Sequence, residues 1–218
     1  GSWSSNVTLG GGTNSLTAQV TDLAGNTSTS SAVVYTVATT APTIAITSPV
    51  AGDNIINKGE AAAGITISGT ATAGSAAVNG QTATITIVDG ANVVKDTYTA
   101  TVTNGAWSVN VTAAQAQALA DGSYSIKANV SDAAGNPAAP ATQAITVDET
   151  APTVAITSPG GLTNQTSQTI TGTVDIADAG ATVTILDGTT PIGTAIVQGN
   201  GSWSSNVTLG GGTNSLTA

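Results

Sequence analysis

Three stretches alternate apolar and polar side chains with a period of two: Thr84-Ile85-Thr86-Ile87-Val88, Ser125-Ile126-Lys127-Ala128-Asn129-Val130 and Thr182-Val183-Thr184-Ile185-Leu186. That period sends every second side chain to one face, so each stretch predicts a β-strand with a single buried face. Asp89-Gly90 and Asp187-Gly188 follow two of these strands and supply the turn chemistry needed there. Turn signals recur along the whole chain, and the pattern predicts an all-β protein built of short-stranded sandwiches. One stretch departs from it. Thr112 to Ala120 (TAAQAQALA) is rich in Ala, Gln and Leu and predicts a helical turn or two between strands. Tyr124 follows Asp121-Gly122 at the next corner. It reads equally as a corner tyrosine bonded back to the main chain or as an ordinary half-buried strand residue.

The pattern repeats on two scales. Residues 1–18, GSWSSNVTLGGGTNSLTA, return letter for letter as residues 201–218, which sets a period of 200 residues. Inside it, APTIAITSP at 41–49 is matched by APTVAITSP at 151–159. GAWSVNVT at 105–112 parallels GSWSSNVT at 1–8 and 201–208, and Asp132-Ala-Ala-Gly-Asn136 parallels Asp22-Leu-Ala-Gly-Asn26. Reading from one Ala-Pro-Thr to the next divides the chain into three parts. Residues 1–40 are the C-terminal part of a unit B, 41–150 a complete unit A, and 151–218 the N-terminal part of the next unit B. Trp3, Trp107 and Trp203 share one strand position, where a core role is expected because the chain has no Phe to fill a sandwich.

Composition narrows the chemistry. Three Lys, no Arg and no His stand against twelve acids, for a net charge of −9. Nothing in that set neutralises phosphates, so nucleic acid is not an expected partner. Without Cys or His, disulfides, thiolate metal sites and the Ser-His-Asp and Cys-His arrangements are all excluded. No apolar run approaches the ~18 residues that span a bilayer, so no membrane insertion is expected of this segment. The one carboxylate pair close in sequence, Asp175 and Asp178, comes with no sign of a cleft, and an enzyme is not expected.

Taken together, Ala-Pro-Thr-(Ile/Val)-Ala-Ile-Thr-Ser-Pro at a unit start, Gly-(Ala/Ser)-Trp-Ser in mid-unit and Asp-x-Ala-Gly-Asn before the last strand resemble bacterial immunoglobulin-like domains. These stack in tandem in giant surface adhesins and biofilm-associated proteins. The resemblance implies tandem immunoglobulin-like β-sandwiches of about seven strands each. It further implies a structural extension (stalk) module of a bacterial cell-surface or extracellular filament, with calcium stiffening the joints. A carbohydrate- or ligand-binding module is the alternative; it would need exposed aromatic residues on one sheet face.

In such a sandwich the second-to-third-strand loop and the sixth-to-seventh-strand loop lie at the end where the chain comes in. At the A-to-B joint that topology gathers Asp148 and Glu149 from the linker, Asp178 from a loop of B, and Asp22 with Asn26 from the last loop of B. Hard carboxylate and amide oxygens of this kind suit Ca²⁺, which takes six to eight of them. The B-to-A linker, Val37-Ala38-Thr39-Thr40-Ala41-Pro42, carries no carboxylate. Only Asp132 and Asn136 face it, and they read as a weaker metal site or as a turn bonded to its own main chain. The broken unit B exposes unpaired edges, so its expected partners are neighbouring repeats of the same chain or head-to-tail copies joined by strand complementation.

Overall fold

A computed structural model describes residues 1–218, which divide into two compact units, Gly1–Glu149 and Thr150–Ala218. The first unit opens with a hairpin. Strand β1 (Gly12–Leu16) pairs antiparallel with β4 (Val33–Val37), and β2 (Gln19–Thr21) with β3 (Thr27–Thr29) extends it. Residues 1–11 form no strand, although their counterparts in the two other GxWS motifs do.

The sandwich that follows is complete. Its strands are β5 (Thr43–Ile46), β6 (Ile55–Asn57), β7 (Ile65–Thr72), β8 (Thr82–Asp89), β9 (Val94–Thr101), β10 (Ala106–Val111), β11 (Gly122–Asn129) and β12 (Ala141–Asp148). One sheet runs β10-β7-β5 and the other β6-β12-β11-β8-β9. The first strand is split between them: β5 joins the smaller sheet, and β6 runs parallel to β12 at the edge of the larger. Period-2 alternation sends Ile67, Ile85, Ile87, Ile126 and Val147 into a dry core with Trp107.

Two short helices close the open corners. Helix α2 (Ala113–Ala116) lies inside the Ala/Gln-rich stretch, and Thr112 and Gln115 form a reciprocal capping box at its start. Helix α1 (Lys58–Ala63) is absent from the sequence reading. Its signal is Asn57 followed three residues later by Glu60, a second capping box. Tyr124 is a corner tyrosine: its hydroxyl donates to Ala120 O at 2.9 Å.

The second unit holds β13 (Val154–Ile156), β14 (Ser167–Val174), β15 (Thr182–Asp187), β16 (Thr190–Ile196), β17 (Ser202–Thr208) and β18 (Leu216–Thr217). Its sheets, β13-β14-β17 and β16-β15-β18, repeat the order β5-β7-β10 and β9-β8-β11 of the first unit. Nothing here occupies the place that β12 fills in the first unit, so the small core of Ile170, Val183, Ile185, Trp203 and Val207 is flanked by half-buried Leu209 and Leu216. No helix in the chain is long and apolar enough to cross a membrane, which leaves strands out of account.

Candidate functional site

The linker carboxylates sit where β12 ends. Asp148 is the last residue of β12, beside Asn57 in the parallel ladder, and is exposed. Glu149 is half-buried, and its Oε1 is enclosed without a hydrogen-bond partner. Its main-chain N–H donates to Asp121 Oδ1 at 2.8 Å. The sequence reading treated Asp121 only as a turn residue, yet its carboxylate is what receives the Glu149 main chain. In the second unit, Asp178 closes a 3₁₀ turn (Ile176–Asp178) between β14 and β15 and is half-buried. Neither unit gathers three or more carboxylates into a cluster able to hold a metal.

Asp22 and Asp132 are engaged by their own turns. Asp132 Oδ1 accepts from the main-chain N–H groups of Ala134 and Asn136 at 3.0 and 2.9 Å, and Asn136 Nδ2 donates to Oδ2 at 3.0 Å. Asp22 repeats the arrangement with Ala24 and Asn26, at 2.9 and 2.8 Å to Oδ1 and 2.9 Å to Oδ2. Asp-x-x-Gly-Asn builds this without help, because a carboxylate two to four residues upstream reaches exposed amides and glycine supplies the left-handed bend. The Asn side-chain bond is the main cause that holds both carboxyl groups below their ordinary value. Asp132 is buried, Asp22 exposed.

Asn136 also reaches outward. Its Nδ2 donates to Ala38 O at 2.9 Å, tying the turn to the segment that precedes Ala-Pro-Thr. Two residues on, Thr40 N donates to Ser75 Oγ at 2.8 Å, and Ser75 N donates to Thr40 O at 3.1 Å. In the second unit a carboxylate holds the Thr of Ala-Pro-Thr itself. Thr153 donates its N–H and its hydroxyl to Asp175 Oδ2 at 3.0 and 2.8 Å, which lowers the Asp175 pKa. Asp175 therefore fastens the linker to its own sandwich.

A depressed carboxylate stabilises the fold above its unfolded value and stops doing so as pH falls through its folded value. The melting midpoint of the first unit is thus expected to fall only as the pH drops below about 3.8. Asn136→Ala removes the main cause of the depression and the bond to Ala38. It should lower the melting midpoint at neutral pH and flatten the acid limb. Calorimetric melts of both proteins across the acid range check this, and parallel acid limbs would refute it.

Two tryptophans fill the sandwiches and one does not. Trp107 and Trp203 are 3% and 1% exposed, whereas Trp3 is 76% exposed. Each buried indole lies against a glycine across the ladder: Trp107 opposite Gly69, and Trp203 opposite Gly172. A Cβ on either glycine would sit closer than 3.0 Å to the indole and to a carbonyl oxygen, Ala45 O or Ala155 O. These glycines escaped the sequence reading. Their signal was Ile-(Ser/Thr)-Gly-Thr inside a strand, since a strand glycine marks close approach by another group. Trp107 and Trp203 are therefore core residues of their own units, while Tyr98 on β9 is half-buried.

Two family models match, both described as bacterial Ig-like domains: one over residues 47–149, and one of group 3 over residues 107–214. They are out of phase, the second starting at Trp107 in β10 and ending before β18. Among solved structures, one similar chain is described as a Ca²⁺-stabilized adhesin that helps an Antarctic bacterium reach out and bind ice (31% identity, TM-score 0.45, 90% of this chain and 48% of that one). A tetra-tandem repeat in the extending region of a large adhesion protein is 24% identical, with a TM-score of 0.44, over 91% of this chain and 48% of that one. A bacterial immunoglobulin-like domain from the M. primoryensis ice-binding adhesin is 34% identical over 50% of this chain and 99% of that domain, with a TM-score of 0.34. The chain spans about half the length of the first two. No curated protein matches. With the family models together spanning residues 47–214, the chain belongs to the bacterial immunoglobulin-like domains.

Proposed function

We propose that this chain is a length-giving module in the stalk of a large, repetitive bacterial surface adhesin or extracellular filament. One observation carries the reading: residues 1–18 return unchanged at 201–218, a spacing of 200 residues that a tandem array would produce. A binding surface needs one good copy, whereas reach grows with every copy added. In this reading unit A is 41–150, and unit B begins at 151 and is finished by the counterpart of residues 19–40. Small-angle scattering on arrays of one, two and three periods tests it. The maximum dimension should rise by a constant increment per period, and a compact particle would sink the stalk.

Calcium where β12 ends is the finer part of the proposal, held by Asp148 and Glu149 beside Asp121. The enclosed, unpartnered Glu149 Oε1 supports it, as does the oxygen-only donor set, which suits a hard divalent cation. The carboxylates of Asp22 and Asp132 accept N–H donors of their own turns, so they and Asn26 fit the role less well. Bound there, the ion would neutralise carboxylates that otherwise repel and so stiffen the linker, which Pro152 already restricts. Stabilisation by Ca²⁺ in the Antarctic adhesin's description is a property of that protein; here the reading stands on this chain's own oxygens. Calorimetric titration with calcium should show saturable binding that Asp148→Ala and Glu149→Ala each weaken and Asp22→Ala leaves alone. An unresponsive chain, or equal binding in Asp148→Ala, would end it.

A further inference from the structure

The segment that leads into the complete sandwich is gripped from two sides. Strand β4 ends at Val37 and β5 begins at Thr43, and the chain between them is held at Ala38, Thr40, Ala41 and Pro42. One jaw is the β11–β12 loop. The Asn136 amide nitrogen carries two hydrogens, and it gives one to Asp132 Oδ2 at 3.0 Å and the other to Ala38 O at 2.9 Å. The second jaw is the β7–β8 loop. Ser75 takes both polar groups of the Thr40 main chain: its hydroxyl accepts from Thr40 N at 2.8 Å, and its own N–H donates to Thr40 O at 3.1 Å. A Cβ on Gly74 would lie closer than 3.0 Å to Thr40 O and Ala41 O, so the linker fits there only because that residue has no side chain. Pro42, at the end of the grip, is buried with its φ fixed by the ring.

The jaws are themselves joined. Ala133 N donates to Ala77 O at 2.8 Å, and Val78 and Ala138 anchor the two loops in the core. Asp132 is the one acid in the linker and both loops, and its oxygens already accept from Ala134 N, Asn136 N and Asn136 Nδ2. A cation there would have to draw Asn136 away, and the hold on Ala38 would go with it. The second unit is not equipped in this way. Counting five residues on from Gly69 and Gly172, which face Trp107 and Trp203, Gly74-Ser75 is replaced by Ala177-Asp178 within a 3₁₀ turn. A methyl group stands where the first unit leaves room for main chain.

We infer that the joint leading into unit A is a calcium-independent clamp, closed on residues 38–42 by Asn136, Gly74 and Ser75. It rests on the reading of those residues as a linker between successive sandwiches. With calcium at the end of β12, a stalk of this repeat then alternates a joint set by protein alone with one set by an ion.

Amide hydrogen exchange on the 218-residue chain reads both places in one experiment. The Thr40 and Ser75 amides should be equally protected in excess calcium and in EDTA, whereas the Glu149 amide should slow further only with calcium. Ser75→Ala should speed exchange at Thr40 by roughly tenfold or more in either condition, because the amide opens by local release and not by unfolding. Gly74→Ala, which drives the linker off its seat, should release both amides while the melting midpoint of the sandwich holds. Protection at Thr40 that appears only with calcium overturns the clamp. So does open-chain exchange at either amide, or protection that survives both substitutions. A Glu149 amide indifferent to calcium, beside a Thr40 protected without it, supports the clamp and sinks the calcium reading instead.

Discussion

Alanine at Gly172 is expected to unfold the second unit, and alanine at Gly69 to cripple the first. The added methyl would meet an indole ring on one side and a carbonyl oxygen of the neighbouring strand on the other, both closer than 3.0 Å. Neither is the free end of a flexible side chain. The ring is held in a packed core, and the carbonyl belongs to the β13–β14 or β5–β7 ladder. Relief requires either expelling the tryptophan or parting the first strand from its neighbour. Overpacking of well-filled cores costs about 1–3 kcal/mol, and contact with backbone raises it beyond the upper figure. A loss of this size removes much of the stability of a small domain, roughly 5–15 kcal/mol in all. Thermal melts followed by tryptophan fluorescence read the result. Unchanged midpoints in both variants would show that the indole does not lie over the glycine.

The second large effect comes from one substitution at two places with identical neighbours in sequence. Trp203→Ala should cost about 3–5 kcal/mol, because it empties the largest side chain from a core with few members. Trp3→Ala in dilute solution should stay within about 0.5 kcal/mol, since that indole is already in water. Chemical denaturation of each variant decides it. Similar losses at the two sites would mean that residues 1–18 are packed as residues 201–218 are.

Those two tryptophans show how far the chain alone could be read. Alternation at Thr84–Val88 and Thr182–Leu186 marked β8 and β15 correctly, because period-2 patterning and burial report the same fact. The Ala/Gln run gave α2 through propensity, while α1 was passed over because six residues carry too little periodicity to compete with the surrounding strands. At the candidate joint, Asp148 and Glu149 were legible from the linker, but Asp121 was not. It reaches Glu149 only because the β11 corner folds back beside the end of β12, a contact 28 residues apart in sequence. Asp175 was legible only as one of a carboxylate pair close in sequence, and the fold gave it the Thr153 amide and hydroxyl to hold.

Local sequence by itself determined the parts whose partners lie within a few residues. Asn14 and Asn214 make the same loop bonds to the carbonyls four and two residues back, and both Asp-x-x-Gly-Asn turns close on themselves in the same way. Tertiary structure decided everything that needs a distant surface. GSWSSNVT is a seven-residue strand with a buried Trp203 where β14 runs alongside, and no strand at all where nothing does. The reason is physical. A strand satisfies its main-chain donors and acceptors only through a neighbour, and an indole leaves water only when other side chains close around it. Eighteen identical residues carry the capacity for both, and their surroundings determine whether it is used.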